Sequence, residues 1–169
     1  WPPEVNGVAL TMQRMVQGLL SRNHRVQLIR PRQKAEGAAP PVDGMETLVL
    51  PGFSIPRYQE LRFGFPAHAA LKKSWRASPP DLVHIATEGP LGWAALNVAL
   101  KLDIPVTTDF HTNFHAYSEH YGIGWLREPI SGYLRWFHNR ALHTFVPNEG
   151  LRLEMEVQRY RNLAVIGRG

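Results

Sequence analysis

The stretch Thr107-Thr108-Asp109-Phe110-His111-Thr112-Asn113-Phe114-His115-Ala116-Tyr117-Ser118-Glu119-His120-Tyr121-Gly122 holds the side chains of this chain best suited to chemistry. Histidines set among hydroxyl and amide side chains can hold a ligand through hydrogen bonds or, in a suitable pattern, ligate a metal. The metal reading is disfavoured by pattern: His111 and His115 are four residues apart, but no His-Glu-x-x-His occurs, and neither Asp109 nor Glu119 is an obvious third ligand. Cysteine is absent, which removes disulfides, thiolate nucleophiles and Cys-ligated metals. No metal or other cofactor is therefore expected. A second candidate is Asn6-Gly7-Val8, where a loop runs into a helix. Glycine there lets backbone N–H groups approach a diphosphate, and the helix dipole favours the anion, although a tight turn alone would also call for Gly7.

For His111 to reach a ligand it must stand at the end of a strand. The apolar run Ile104 to Val106 leads into the stretch, so a strand is expected over 105–109, with His111 at its C-terminal edge. Ligands bind at that edge in open parallel α/β sheets. Glu88, in a loop after another expected strand (81–86), projects toward the same edge or caps the helix that starts at Pro90. His84 alternates within that apolar strand and is read as core.

The remaining elements follow from spacing. Val8, Met12, Met15, Val16, Leu19 and Leu20 predict a helix over about 8–22, stopping near Asn23, which tolerates the left-handed conformation. Strands are expected over 25–30 and 45–50, with a Pro/Gly-rich loop over 34–44 between them. Residues 53–65 show no clean period and are read as an irregular surface excursion. Helices are expected over 66–76, 90–102, 126–142 and 149–159, and strands over 143–146 and 163–166. Alternating strands and helices imply a Rossmann-like α/β fold, a parallel sheet with helices on both faces. A loop such as Asn6-Gly7 ordinarily follows a strand and none precedes it, so the first strand is expected to be missing. Its loss would leave unpaired backbone between the strands at 25–30 and 81–86, to be filled by upstream residues or a partner chain.

The chain has 169 residues, 44% hydrophobic, with 19 Lys+Arg against 14 Asp+Glu and a formal charge of +5, which suits one globular domain over 1–169. No apolar run approaches the ~18 residues that span a bilayer. The positive charge suits acidic partners such as phosphorylated ligands, anionic lipid or nucleic acid.

Three blocks carry a resemblance: Trp1-Pro2-Pro3-Glu4-Val5-Asn6-Gly7-Val8-Ala9, Asp81-Leu82-Val83-His84-Ile85-Ala86-Thr87-Glu88-Gly89-Pro90-Leu91-Gly92 and Asp109-Phe110-His111-Thr112-Asn113-Phe114. With Arg30-Pro31-Arg32 and Val146-Pro147-Asn148 falling where loops follow strands, the chain resembles the N-terminal domain of family 4 glycosyltransferases of the GT-B fold, most closely the GDP-mannose-dependent α-mannosyltransferases. The resemblance covers nearly the whole chain. It implies a retaining, metal-independent enzyme with two facing Rossmann-like domains: this one for the acceptor, and a C-terminal one, absent here, for most of the nucleotide-diphosphate sugar. The 169 residues alone are therefore expected to be inactive in sugar transfer.

The resemblance also implies roles. His111 matches the family histidine beside the donor sugar, Gly7 and Val8 would meet the donor phosphate, and Glu4, Asn6, Glu88, Thr112 and Asn113 would meet the acceptor. No carboxylate pair supports a double-displacement glycosidase. Lys72, Lys73, Trp75 and Arg76, with Arg57, Arg62, Phe63 and Phe65, suit an anionic membrane surface and a lipid acceptor, which implies a cytoplasmic protein peripheral on the inner face of the membrane. The alternative is a solvated basic face with Trp75 tucked inward. A non-catalytic sugar- or nucleotide-binding module is a second reading of the whole chain. A nucleic-acid-binding domain is a third; against it, no nucleic-acid motif occurs and the basic residues are dispersed, so nucleic acid is not an expected partner.

Overall fold

A computed structural model describes residues 7–33, 42–55, 58–111 and 127–167. The chain divides into two compact units, Trp1–Ala67 with Gly89–Leu91, and His68–Glu88 with Gly92–Gly169. The described residues form five helices and eight strands.

In the first unit, α1 (Gly7–Leu20) is followed by the strands β1 (Val26–Pro31), β2 (Met45–Leu50), β3 (Gly52–Ile55) and β4 (Tyr58–Gly64). The helix buries Ala9 and Val16 from its apolar stripe. It ends where expected: Asn23 takes a left-handed φ of 63°, and the N–H of His24 donates to the carbonyl of Leu19 at 3.1 Å, satisfying one of the last orphan carbonyls. Strands β1 and β2 pair in parallel, from Val26 opposite Met45 to Pro31 opposite Leu50.

The excursion read over 53–65 is instead an antiparallel pair, β3 against β4, with Phe53 opposite Phe63 and Ser54 opposite Arg62. The register then shifts between Ser54 and Ile55, so that Ile55 faces Tyr58. A shift of this kind breaks the two-residue alternation by which a strand is recognised, which is why the sequence hid it.

The second unit holds α2 (His68–Ala77), β5 (Val83–Ile85), most of α3 (Pro90–Lys101), β6 (Val106–Asp109), α4 (Arg127–His138), β7 (His143–Val146), α5 (Glu149–Val157) and β8 (Leu163–Val165). The strands form one parallel sheet in the order β5-β6-β7-β8. Each strand is added on the same side of the last, with α3, α4 and α5 in the connections between successive strands. Packing there is close: a Cβ on Gly92 would lie 2.0 Å from the carbonyl oxygen of Thr87 and 3.1 Å from Cγ2 of Ile85, so only glycine lets α3 settle at this point. Leu96, Ala99 and Phe137 are fully buried, and Leu134, Val146, Met155 and Tyr160 form a contiguous cluster. Burying a large apolar side chain of this kind stabilises the fold by roughly 1.5–3 kcal/mol. Asn148 caps α5, its side chain accepting from the N–H of Leu151.

Helix α2 settles one question left open by the sequence. Leu71 and Trp75 are buried while Lys72, Lys73 and Arg76 are exposed. Trp75 is thus part of the core and is not offered to a membrane; an α-helix that buries positions 71 and 75 turns 72, 73 and 76 outward.

Candidate functional site

All four residues of β6 are buried, and three of them, Thr107, Thr108 and Asp109, are polar. Buried polar groups need partners. Because side chains alternate along a strand, Thr107 and Asp109 serve one face and Thr108 the other.

On the first face, the register sets His84 of β5 beside Thr107 and Asp109 beside Phe145 of β7. His84 Nδ1 lies 3.0 Å from Thr107 Oγ1, and its Nε2 lies 3.4 Å from Asp109 Oδ2. The ring of Phe145 stacks on the His84 ring at 5.9 Å between centroids, 22° from parallel. The same carboxylate oxygen of Asp109 lies 3.0 Å from Nε2 of His111. His111 thus stands just past the C-terminal end of β6 with its side chain 8% exposed and one ring edge turned back on Asp109. Burial alone would raise the Asp109 carboxyl, but the His111 and His84 rings beside it outweigh that and hold the group well below the usual carboxylate range.

On the other face, Thr108 Oγ1 lies 2.9 Å from Nδ1 of His138 and 2.9 Å from Oγ1 of Thr144, and Nε2 of His138 lies 3.1 Å from Oε1 of Glu88. With the His138 proton on Nε2, each contact has a donor: His138 to Glu88, Thr108 to His138 and Thr144 to Thr108. Tyr133 donates to the backbone oxygen of Glu88 at 2.6 Å. Burial, with the Glu88 charge, pushes the Tyr133 hydroxyl up to about 12.

The site residues expected from sequence are therefore placed as follows. His111 is at the strand edge. Gly7 and Val8 are the first two residues of α1, and among the described residues a Cβ on Gly7 would meet no atom within 4 Å. Glu88 lies in the loop after β5 with its carboxylate engaged by His138 and 10% exposed. Glu4, Asn6, Thr112, Asn113, His115, Glu119 and His120 lie outside the described residues.

Two residues acquire importance that the sequence reading did not give them. His84, read as core, is instead one arm of a polar chain, and Asp109, weighed only as a metal ligand, is its hub. Part of the signal was present: two polar residues alternating in a buried strand must face something. The partner could not be named without the β5–β6 register.

Compared with known proteins, residues 5–169 match the model of glycosyltransferase family 4. Relatives include a GDP-mannose-dependent alpha-mannosyltransferase of Mycolicibacterium smegmatis, 28% identical over 99% of this chain and 45% of the relative. The protein of that name in Mycobacterium tuberculosis is 27% identical over 86% of this chain and 39% of its own length. An alpha-monoglucosyldiacylglycerol synthase of Acholeplasma laidlawii is 32% identical over 70% of this chain and 29% of the relative. The chain thus spans less than half the length of these relatives.

Proposed function

The chain belongs to glycosyltransferase family 4, and we propose that it is the N-terminal, acceptor-side half of a retaining glycosyltransferase that moves a hexose, in the first instance mannose, from a nucleotide-diphosphate sugar to a lipid acceptor. The observation that carries this reading is the family match over residues 5–169. The placement of His111 at the C-terminal edge of a buried central strand supports it, since that edge is where parallel α/β sheets bind ligands. His111 would hydrogen-bond a hydroxyl of the donor sugar and fix its orientation, which gains rate through positioning. The backbone N–H groups of Gly7 and Val8 open α1 and would take a donor phosphate. Glu4, Asn6, Glu88, Thr112 and Asn113 would contact the acceptor. Most donor contacts would come from a C-terminal domain.

The mannose donor draws support from a relative named as GDP-mannose-dependent, and the lipid acceptor from one named for diacylglycerol chemistry. No helix of the described residues is long and apolar enough to cross a membrane. The exposed Lys72, Lys73 and Arg76 of α2 would attract an anionic bilayer, each cation near the surface contributing about 1 kcal/mol, and would keep the protein peripheral on the cytoplasmic side. The test is an assay of the full-length protein with a panel of nucleotide sugars and lipid acceptors. Transfer from GDP-mannose to a lipid is expected; no transfer from any nucleotide sugar would overturn the reading.

A further inference from the structure

The face of β6 that carries Thr107 and Asp109 is a chain of contacts with a direction. Phe145 stacks on the His84 ring, Thr107 engages Nδ1 of that ring, and the opposite nitrogen faces Asp109 Oδ2, whose other neighbour is Nε2 of His111. Thr107, His84 and Asp109 belong to paired strands, so their spacing is fixed by backbone hydrogen bonds. His111 lies two residues beyond Asp109, the last residue of β6. A histidine ring in that position turns about two side-chain torsions unless something holds it.

We propose that Asp109, braced by His84 and Thr107, is a positioning residue that fixes the orientation and the tautomer of the His111 ring. This rests on the reading of His111 as the group that meets the donor sugar. A carboxylate accepts hydrogen bonds and donates none, so the ring nitrogen that faces it carries the proton. Nε2 of His111 is then the N–H, and the lone pair lies on Nδ1, the arrangement that accepts a hydrogen bond from a ligand hydroxyl. The depressed carboxyl of Asp109 agrees with this, since the group stays an acceptor throughout the range in which an enzyme works. His84 is set in the same way: Nε2–H toward Asp109 and Nδ1 accepting from the Thr107 hydroxyl.

Activity and spectroscopy of the full-length protein test the assignment together. Asp109→Asn keeps the shape and removes the obligatory acceptor; it is expected to lower kcat by about tenfold to a hundredfold, the scale of a misplacement near 1 Å, with the donor KM little changed. Thr107→Val removes one hydrogen bond from the brace and is expected to cost about three- to tenfold, with Thr107→Ser restoring the rate. In a His111→Ala background the Asp109→Asn change is expected to cost nothing further. Nitrogen-15 histidine spectra of the unsubstituted protein are expected to show His111 protonated on Nε2. A His111 proton on Nδ1, a full Asp109→Asn penalty in the His111→Ala background, or an unimpaired Asp109→Asn enzyme alongside an impaired His111→Ala enzyme would each overturn the proposal. A His111→Ala enzyme at the unsubstituted rate would instead overturn the reading on which it rests. Should Asp109→Asn fail to fold, the histidine spectra and the Thr107 pair decide the matter.

Discussion

His111 and His138 each approach a carboxylate at close to hydrogen-bond distance, 3.0 Å from Asp109 and 3.1 Å from Glu88, and their networks meet opposite faces of the same strand, β6. The difference lies in where each chain of contacts ends. The His138 chain closes inside the protein: the ring is fully buried, both its nitrogens have partners, and Thr108, Thr144 and the loop after β5 are tied to α4 through it. The Asp109 chain starts inside the sheet and runs outward to the C-terminal strand edge. Similar pair chemistry thus joins β6 and the loop after β5 to α4 in one region and reaches the C-terminal strand edge in the other. What separates the two is the alternation of one strand, which sends Thr108 one way and Asp109 the other.

The comparison breaks first at His138. Its replacement by Ala would leave a cavity, deprive Thr108 of a partner and leave Glu88 without its counterpart, with an expected loss of about 3 kcal/mol or more. For a chain of this size that lowers Tm by roughly 6–12 °C. An unchanged thermal transition would show that the closed network does not hold the unit together. Thr144→Val is a milder probe, since it keeps the shape and removes only a hydroxyl; about 1–2 kcal/mol is expected, read from denaturant unfolding. The smallest effect concerns alkaline pH. Burial raises Tyr133, which donates to the Glu88 backbone, and Tyr160 from 10.0 to about 12. A folded-state value above the unfolded one means stability that is complete below pH 10 and lost as the pH climbs from 10 to 12. Tm should fall over that interval, and Tyr133→Phe should reduce the slope; an identical slope would detach Tyr133 from the effect.

Much of the fold was legible. Apolar runs bounded by Pro and Gly located β6 and β7, Pro90 marked the start of α3, and Asn23 marked the end of α1, because each is a local property of a few residues. Contacts that join distant residues were not legible. His84 meets Thr107 across 23 positions and His138 meets Glu88 across 50, distances that only strand register and helix placement can bridge. Glu88 illustrates this: read alone, it fits an acceptor contact or a helix cap, and nothing in its sequence neighbours announces the contact with His138. The β3–β4 pair was hidden by its register shift, and the burial of Trp75 became visible only with the packing of α2. His111 was legible as a strand-edge residue, but the group that grips it was not.

The most direct measurement is the rate of labelled mannose transfer from GDP-mannose by full-length protein carrying His111→Ala, set against the unsubstituted protein at matched folded fraction. The account predicts a loss of about two to three orders of magnitude at that matched folded fraction, beyond any fall in Tm that follows from leaving Asp109 without its neighbour. Transfer at the unsubstituted rate would contradict it, and would place His111 with His138 as a residue of the scaffold.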